Sequence, residues 1–360
     1  MTTSRSSISP DRLRAVAPAL PWAIALAVLA YAFIAGGYLV TVMSFALIYA
    51  IFVTGLNLFM GYAGQVTFGH NAFAALGGYG SAVLTSTYGF PPLGGFAAGM
   101  ALALCLALLV GYPTLRLKGH YLAMATLAIG LIVYEIAVQW QAVTGGYMGL
   151  SGIPPLGIGR FEIVSDRWQL AVLAVIVALS IWSAMRLRAS RFGRALVAIA
   201  GSEDAARALG IDVAHYKLMA FLISAAYAAT AGWLFVHVVG FVSPEVFGLH
   251  MVVLAFTMLY VGGIGTAAGP LIGAVIISLL PETFRALKDY QDLAYGAGLI
   301  LLLIYAPKGL AALGDLFPRA VSVPSESETS LLFGRVFCGE PEVHFAGKRY
   351  EGAFSHGLDT

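Results

Sequence analysis

Three groups of residues in this sequence carry side chains able to do chemistry. The first sits in residues 61–71, GYAGQVTFGHN, where Gln65, His70 and Asn71 stand among glycines and aromatics in an otherwise apolar stretch. Amide and imidazole groups are costly to expose to hydrocarbon, so these three must face protein or a watery cavity. Two readings follow: hydrogen-bond glue between helices or, together with Phe68, the lining of a translocation path. The second group is a single acid, Glu135, alone in the apolar run 119–142. A carboxylate at the centre of a membrane helix costs roughly 2.5–3.5 kcal/mol, and less near an interface. Glu135 lies about seven residues, or ~10 Å, from the end of its run, so it is either a path residue or an acid bonded to Gln139 or a neighbouring helix. The third group is Glu203 with Asp204, set in the one long charged excursion of the chain, residues 186–217. Ser202 precedes the two acids as an N-cap, the acids occupy the positive end of the helix dipole, and Gly210 ends the run Ala205-Ala206-Arg207-Ala208-Leu209. This spacing predicts a short capped helix with a small-residue face of Ala205, Ala206 and Ala208, the kind of element through which a soluble partner pushes on a membrane protein.

Covalent chemistry has no visible home. The sequence holds no G-x-x-x-x-G-K-[ST] phosphate loop, no H-E-x-x-H spacing among its seven histidines and no G-x-S-x-G nucleophile elbow. Cys105 and Cys338 make neither a disulfide framework nor a metal motif. The net charge of +2 is too small to argue for a nucleic-acid partner. If ATP drives this protein, another chain must bind it.

The elements that position these residues are membrane helices. Hydrophobic residues make up 59% of the chain and charged residues 11%, with a mean hydropathy of +0.86. A soluble domain carries about 25% charge. Apolar segments fall at about 16–35, 38–60, 66–86, 93–112, 119–142, 168–186, 218–241, 250–263, 266–281 and 293–306. Several approach the ~20 residues needed to cross a bilayer. The expected fold class is therefore an all-α polytopic membrane protein with about ten transmembrane helices. The runs at 250–263, 266–281 and 293–306 are short, and Gly262-Gly263-Ile264-Gly265 joins the first two, so broken or re-entrant helices are expected there. Gly265, Gly269 and Gly273 recur every four residues as a small-xxx-small strip, for packing within the chain or against a second subunit.

Basic residues orient the chain. With both ends inside, sixteen of the 20 lysines and arginines fall on the cytoplasmic side, and Arg160, Arg167, Arg285 and Lys288 fall outside. Residues 1–15 are then a cytoplasmic N-terminus, 16–313 the membrane domain with its coupling loop at 187–217, and 314–360 a polar tail expected to be disordered. The N-terminal apolar stretch leads straight into more membrane sequence, which favours a retained first span over a signal peptide. The outside loop 143–167 is rich in glycine and contains Pro154-Pro155, which predicts a compact, turn-rich cap. Its glycines Gly145, Gly146, Gly149 and Gly152 mark either a plain connector or an outer docking surface.

Five stretches carry a likeness to a known family: GYAGQVTFGHNAFAALGGYGSAVL (61–84), LRLKGHYLAMATLAIG (115–130), TGGYMGLSGIPPLGIG (144–159), SRFGRALVAIAGSEDAARALGIDVAHYKLMAF (190–221) and YVGGIGTAAGPLIGA (260–274). The chain resembles the permease subunits of branched-chain amino acid ABC importers, a family that includes urea and amide permeases. The likeness covers about residues 38–313 and does not specify the substrate. It implies that Glu203, Asp204, Ala205, Ala206, Arg207 and Gly210 form the coupling element. The family's Glu-Ala-Ala, three residues, Gly pattern appears here with Asp204 in the first position and Glu203 beside it. The resemblance also implies partners. These are two ATPase subunits that carry the ATP, a second and nonidentical permease, and a periplasmic or lipid-anchored substrate-binding protein. The setting is a bacterial inner membrane, with membrane lipid around the chain, no cofactor in it and no nucleic acid. Branched-chain amino acids are the expected cargo and urea or an amide the alternative. An ion-coupled secondary transporter would need more intramembrane acids than Glu135.

The charge asymmetry has a direct check. Single cysteines at Ser202 and Gly152, in a background lacking Cys105 and Cys338, should label from opposite faces of the membrane. An impermeant reagent that reached both from outside would overturn the ten-span topology.

Overall fold

Long apolar segments take the helical form because a helix satisfies its own N–H and C=O groups where no water is available. The computed structural model describes residues 37–284, apart from residues 118, 159, 160 and 164, together with residue 296. The expected first span at 16–35, last span at 293–306 and both terminal segments lie outside the described residues.

The helices are α1 (Gly37–Asn57), continued by a π turn at Leu58–Tyr62, α2 (His70–Ser86), α3 (Pro92–Thr114), α4 (His120–Gln139) and the short α5 (Gln141–Thr144). After a connecting segment come α6 (Asp166–Ala189), α7 (Arg191–Gly201), α8 (Glu203–Ala208), α9 (Val213–Val239), α10 (Leu249–Gly262) and α11 (Gly269–Phe284). Among the described residues, five helices are long and apolar enough to cross a membrane: Gly37–Tyr62, α3, α4, α6 and α9. The chain is thus a mostly helical, multi-pass membrane protein. The expected apolar runs from 38–60 to 266–281 all appear as helices, though α2, α10 and α11 are shorter than the five.

Small strand pairs qualify the all-α expectation. The loop after α4 contains β1 (Leu150–Ser151), β2 (Gly157–Ile158) and β3 (Phe161–Glu162), and β4 (Phe241–Val242) follows α9. β1 and β4 pair antiparallel with Leu150 opposite Val242, and β2 pairs with β3. The cap is therefore compact, and it is pinned to the end of α9.

Burial separates the helices by role. The apolar body of α1 is buried on most sides, from Val40 to Asn57. By contrast, α3 buries one stripe of small residues, Gly95, Gly99, Ala103, Ala107 and Gly111, at four-residue spacing, and leaves Leu102, Leu108 and Leu109 exposed. That is the pattern of a helix with one face on protein and the rest on lipid.

Close approach is set by glycine. A Cβ on Gly232 of α9 would fall on the carbonyl oxygen of Ala74 in α2, and one on Gly77 would fall on the backbone of Ala229. Backbones in this contact run against each other with no side chain between them. The α10–α11 contact works the same way, with one correction to the expected strip. Gly265 lies in the turn before α11 at φ +76°, not on its face. The apposed set is Gly262, Gly269 and Gly273, where Gly262 meets the Gly269 carbonyl and Gly273 meets that of Met258. The physical reason is that the helix starts at Gly269, so Gly265 has no helical register to share.

Gly232→Ala should lower the thermal midpoint of the detergent-purified protein, since overpacking against backbone costs about 1–3 kcal/mol. Gly201→Ala, where a Cβ meets open space near the end of α7, should leave the midpoint unchanged or raise it. Equal effects of the two would remove the close-approach account.

Candidate coupling helix and buried polar path

The charged excursion folds into two capped helices. Ser190 Oγ accepts from the Gly193 N–H at 3.3 Å to start α7, and Ser202 Oγ accepts from the Ala205 N–H at 3.3 Å to start α8. α8 is capped at Leu209, and Gly210 follows at φ +82°, a left-handed conformation that glycine adopts without strain. The Ile211 N–H donates to the Ala206 carbonyl at 3.1 Å and closes the turn. Ser202 and Gly210 thus occupy the capping positions their residue types predicted.

The two faces of α8 differ in chemistry. Ala206 is turned inward onto Ile199 and Val213, in a small core of its own. It is therefore a packing residue and is not on the outward face that Ala205, Ala206 and Ala208 were expected to share. Asp204, Arg207, Ala208, Leu209 and Gly210 face outward, with Leu209 80% exposed. Arg207 donates to Asp204 at 2.9 Å, and both side chains are more than half exposed, so the pair contributes little to stability.

Glu203 points the other way. Its Oε1 accepts from Lys217 Nζ on α9 and from Gln65 Nε2 at 3.3 Å. Lys217 is only 2% exposed. A buried cation of this kind is tolerated only when paired. Gln65 in turn belongs to a non-helical stretch, residues 64–69, that precedes α2. Gln65, Thr67 and Gly69 in that stretch are buried. Irregular backbone inside a membrane bundle requires protein cover, which Gln65, Thr67 and Gly69 have while Gly64 and Val66 are exposed. The Phe68 N–H donates to Thr126 Oγ1 of α4 at 3.1 Å, and the Phe68 ring stacks on Phe256 of α10 at 4.5 Å.

His70 and Asn71 open α2 and are buried. His70 Nε2 lies 2.5 Å from Ser224 Oγ of α9, which itself donates to the Gly55 carbonyl of α1. Asn71 Nδ2 donates to the Phe247 carbonyl at 2.8 Å. His70 Nδ1 and Asn71 Oδ1 have no hydrogen-bond partner among the described residues, so some bonding capacity remains inside the bundle. Gln65, Phe68, His70 and Asn71 therefore sit along one continuous segment that touches α1, α4, α8, α9 and α10. Glu135 does not join them. It is exposed on α4, next to the exposed Ile132 and Ile136.

In the cap, Gly145, Gly146, Gly149 and Gly152 all take positive φ, between +60° and +74°. Carbonyl oxygens of Gly149 and Val242 fill the space where a Cβ would stand on Gly145 and Gly149, so these two are required by the fold of the loop. Gly152 faces open space.

Several organising residues were not singled out from the sequence. His237 of α9 donates from Nδ1 to the Pro154 carbonyl and accepts at Nε2 from Ser81 Oγ, each at 2.7 Å, tying the cap to α2. Asn57 clamps the α10–α11 turn twice. Its Nδ2 donates to the Thr266 carbonyl at 2.8 Å, and its Oδ1 accepts from the Gly265 N–H at 2.7 Å. Arg188 at the end of α6 donates to the Gly265 carbonyl and lies 4.7 Å over the Tyr62 ring in the π turn. A lone polar residue in an apolar run was the available signal for both Asn57 and His237.

A multi-pass helical bundle that presents a capped helix on charged loops, anchored inward and open outward, has the layout of a membrane permease. The comparisons agree. The family described as "Branched-chain amino acid transport system / permease component" matches residues 38–306, and this chain belongs to it. The family is one of transport permeases rather than enzymes. The high-affinity branched-chain amino acid transport system permease protein LivM of Escherichia coli (strain K12) is 33% identical over 317 residues, spanning 80% of this chain and 73% of LivM. The permease protein LivH of the Salmonella typhimurium system is 27% identical over 288 residues, spanning 73% of this chain and 90% of LivH. A probable LivM of Methanocaldococcus jannaschii is 25% identical over 312 residues, spanning 73% and 90% of the two chains. No solved structure matches the chain.

Asn57→Leu should destabilise the purified protein, because it strands the Gly265 N–H and the Thr266 carbonyl together. Each buried group left unpaired costs about 1–3 kcal/mol. A thermal midpoint equal to wild type would show that the turn is held by other contacts.

Proposed function

We propose that this chain is one of two permease subunits of an ATP-driven importer in a bacterial inner membrane, with branched-chain amino acids as its cargo. The observation that carries the reading is α8: a capped helix whose Asp204, Arg207, Ala208 and Leu209 are exposed on the protein surface while its other face is fixed to the bundle. The names of the relatives, LivM and LivH, support the cargo and the pairing of this chain with a second, nonidentical permease. Urea or an amide is the alternative cargo within the same family.

In this reading the chain has about ten spans, with both termini and α8 in the cytoplasm, as the basic residues favour. Two ATPase subunits bind the ATP and close on α8 of each permease. A substrate-binding protein docks on the cap around Gly145, Gly146, Gly149 and Gly152, the loop opposite α8 along α9. The chain itself carries no cofactor and makes no covalent bond with the solute. Gln65, Phe68, His70 and Asn71 act first as the ties that hold α2 in place. Glu135, exposed on α4, has its place in the conduit only where a second permease covers that helix.

A reconstitution experiment tests the reading. The complex purified through a tag on this chain should take up leucine, isoleucine or valine only with ATP and its binding protein. Replacing Leu209 with Glu and Asp204 with Arg together should reduce the ATPase subunits recovered with the tag by about tenfold, equivalent to ~1.4 kcal/mol of binding. Uptake driven by an ion gradient without ATP would instead favour a secondary transporter.

A further inference from the structure

Glu203 and Asp204 are neighbours in sequence and acids alike, yet α8 sends them in opposite directions. Asp204 is exposed and pairs with exposed Arg207. Glu203 is turned into the protein, where it meets buried Lys217 of α9 and buried Gln65. Only one of the two acids is placed to meet a partner. The other is placed to hold α8 to the bundle.

We propose that Glu203, Lys217 and Gln65 form a transmission latch, a set of positioning residues through which movement of α8 reaches the partly buried segment 64–69 and the start of α2. This rests on the permease reading above and assigns the inward half of its coupling element.

The contacts that carry it are specific. Lys217 lies in the second turn of α9, so the ion pair joins α8 to the rigid start of a 27-residue helix. With its ammonium buried, the pair cannot open into water without leaving a charge unsolvated. α8 and the start of α9 are thus obliged to move together. The bond from Gln65 adds a second line of load. Gln65 begins a stretch that is not stiffened by helical hydrogen bonds and that ends at His70. Within it, Phe68 touches Thr126 of α4 and Phe256 of α10, and His70 then reaches Ser224 of α9. A short pull on Gln65 is therefore delivered to α4, α9 and α10 as well as to the start of α2, along backbone free to change its torsion angles. Coupling in a packed protein travels through such contiguous contacts when an element in the chain has two arrangements available. The unwound stretch is the element here with that freedom.

The arrangement also separates two functions that a single helix would otherwise mix. Substitutions on the outward face should change partner binding. Substitutions on the inward face should leave binding intact and change what binding achieves.

The test uses the intact complex, purified through a tag on this chain and reconstituted in liposomes. Three variants, Glu203→Gln, Lys217→Met and Gln65→Leu, are compared for recovery of the ATPase subunits and for leucine taken up per ATP hydrolysed. The expected result is normal recovery in all three, with the uptake-to-hydrolysis ratio reduced roughly tenfold, within the range of ordinary coupling between sites. The exchange Glu203→Lys with Lys217→Glu should recover at least half of the wild-type ratio, because it restores the pair and Gln65 can turn its amide to accept. Gln65→Leu keeps the ion pair and its burial, so it reports on the latch even if Lys217→Met fails to insert. An unchanged ratio in Gln65→Leu and Glu203→Gln overturns the latch. Loss of the ATPase subunits in Glu203→Gln with Asp204 intact also overturns it, since Glu203 would then be the partner contact. Failure of the permease reading looks different: the outward-face variants at Leu209 and Asp204 would leave ATPase recovery unchanged.

Discussion

Hydrocarbon offers a polypeptide no water to bond with and gives one helix no hydrophobic reason to prefer another. Helices in such a medium associate where their backbones can come close, and in this protein one such close approach is between α2 and α9. Gly77 and Gly232 leave room there for the backbones of Ala229 and Ala74. The rest of the bundle is referenced to this contact. It sets the level at which His70 meets Ser224 and at which Ser81 meets His237, and through His237 it places the cap.

Departures from regular helix occur only where the surrounding protein compensates for them. The stretch 64–69 is unwound but buries Gln65, Thr67 and Gly69, and its N–H groups find the Phe59 carbonyl, Thr126 Oγ1 and Thr67 Oγ1. The α10–α11 turn makes bonds of its own through Thr266 and is held in addition by Asn57 from α1 and Arg188 from α6. Both irregular segments lie at the end of the bundle where α7 and α8 are attached. Segments of this kind can change shape without breaking a helix, and both lie beside the helix that the proposed function makes the receiver of force.

The family assignment and the physical reading meet at α8. The match over residues 38–306 places the chain among branched-chain amino acid transport permeases. The geometry adds that α8 has an exposed face and an inward face, divided between two adjacent acids. Glu135 marks a different boundary. Its exposure on α4, beside lipid-type side chains, separates it from the buried group at Gln65, His70 and Asn71.

Composition and spacing determined the class of this protein, since an apolar run of membrane length has little choice but to be a helix. The capping of α8 was equally legible, because Ser202 and Gly210 act through bonds to residues a few positions away. The turn-rich nature of the cap followed from its glycines for the same local reason. Tertiary structure decided what depends on distant partners. It turned Ala206 inward although its neighbours Ala205 and Ala208 look the same in sequence, it took Gly265 out of the strip with Gly269 and Gly273, and it gave Asn57 and His237 their roles. It also separated Glu203 from Asp204. Two adjacent acids read alike along the chain, and only the packing of α8 against Lys217, 14 residues away, and Gln65, 138 residues away, distinguishes the inward-facing one from the exposed one. A helix projects successive residues about 100° apart, so which face is covered is a property of the neighbours and not of the helix.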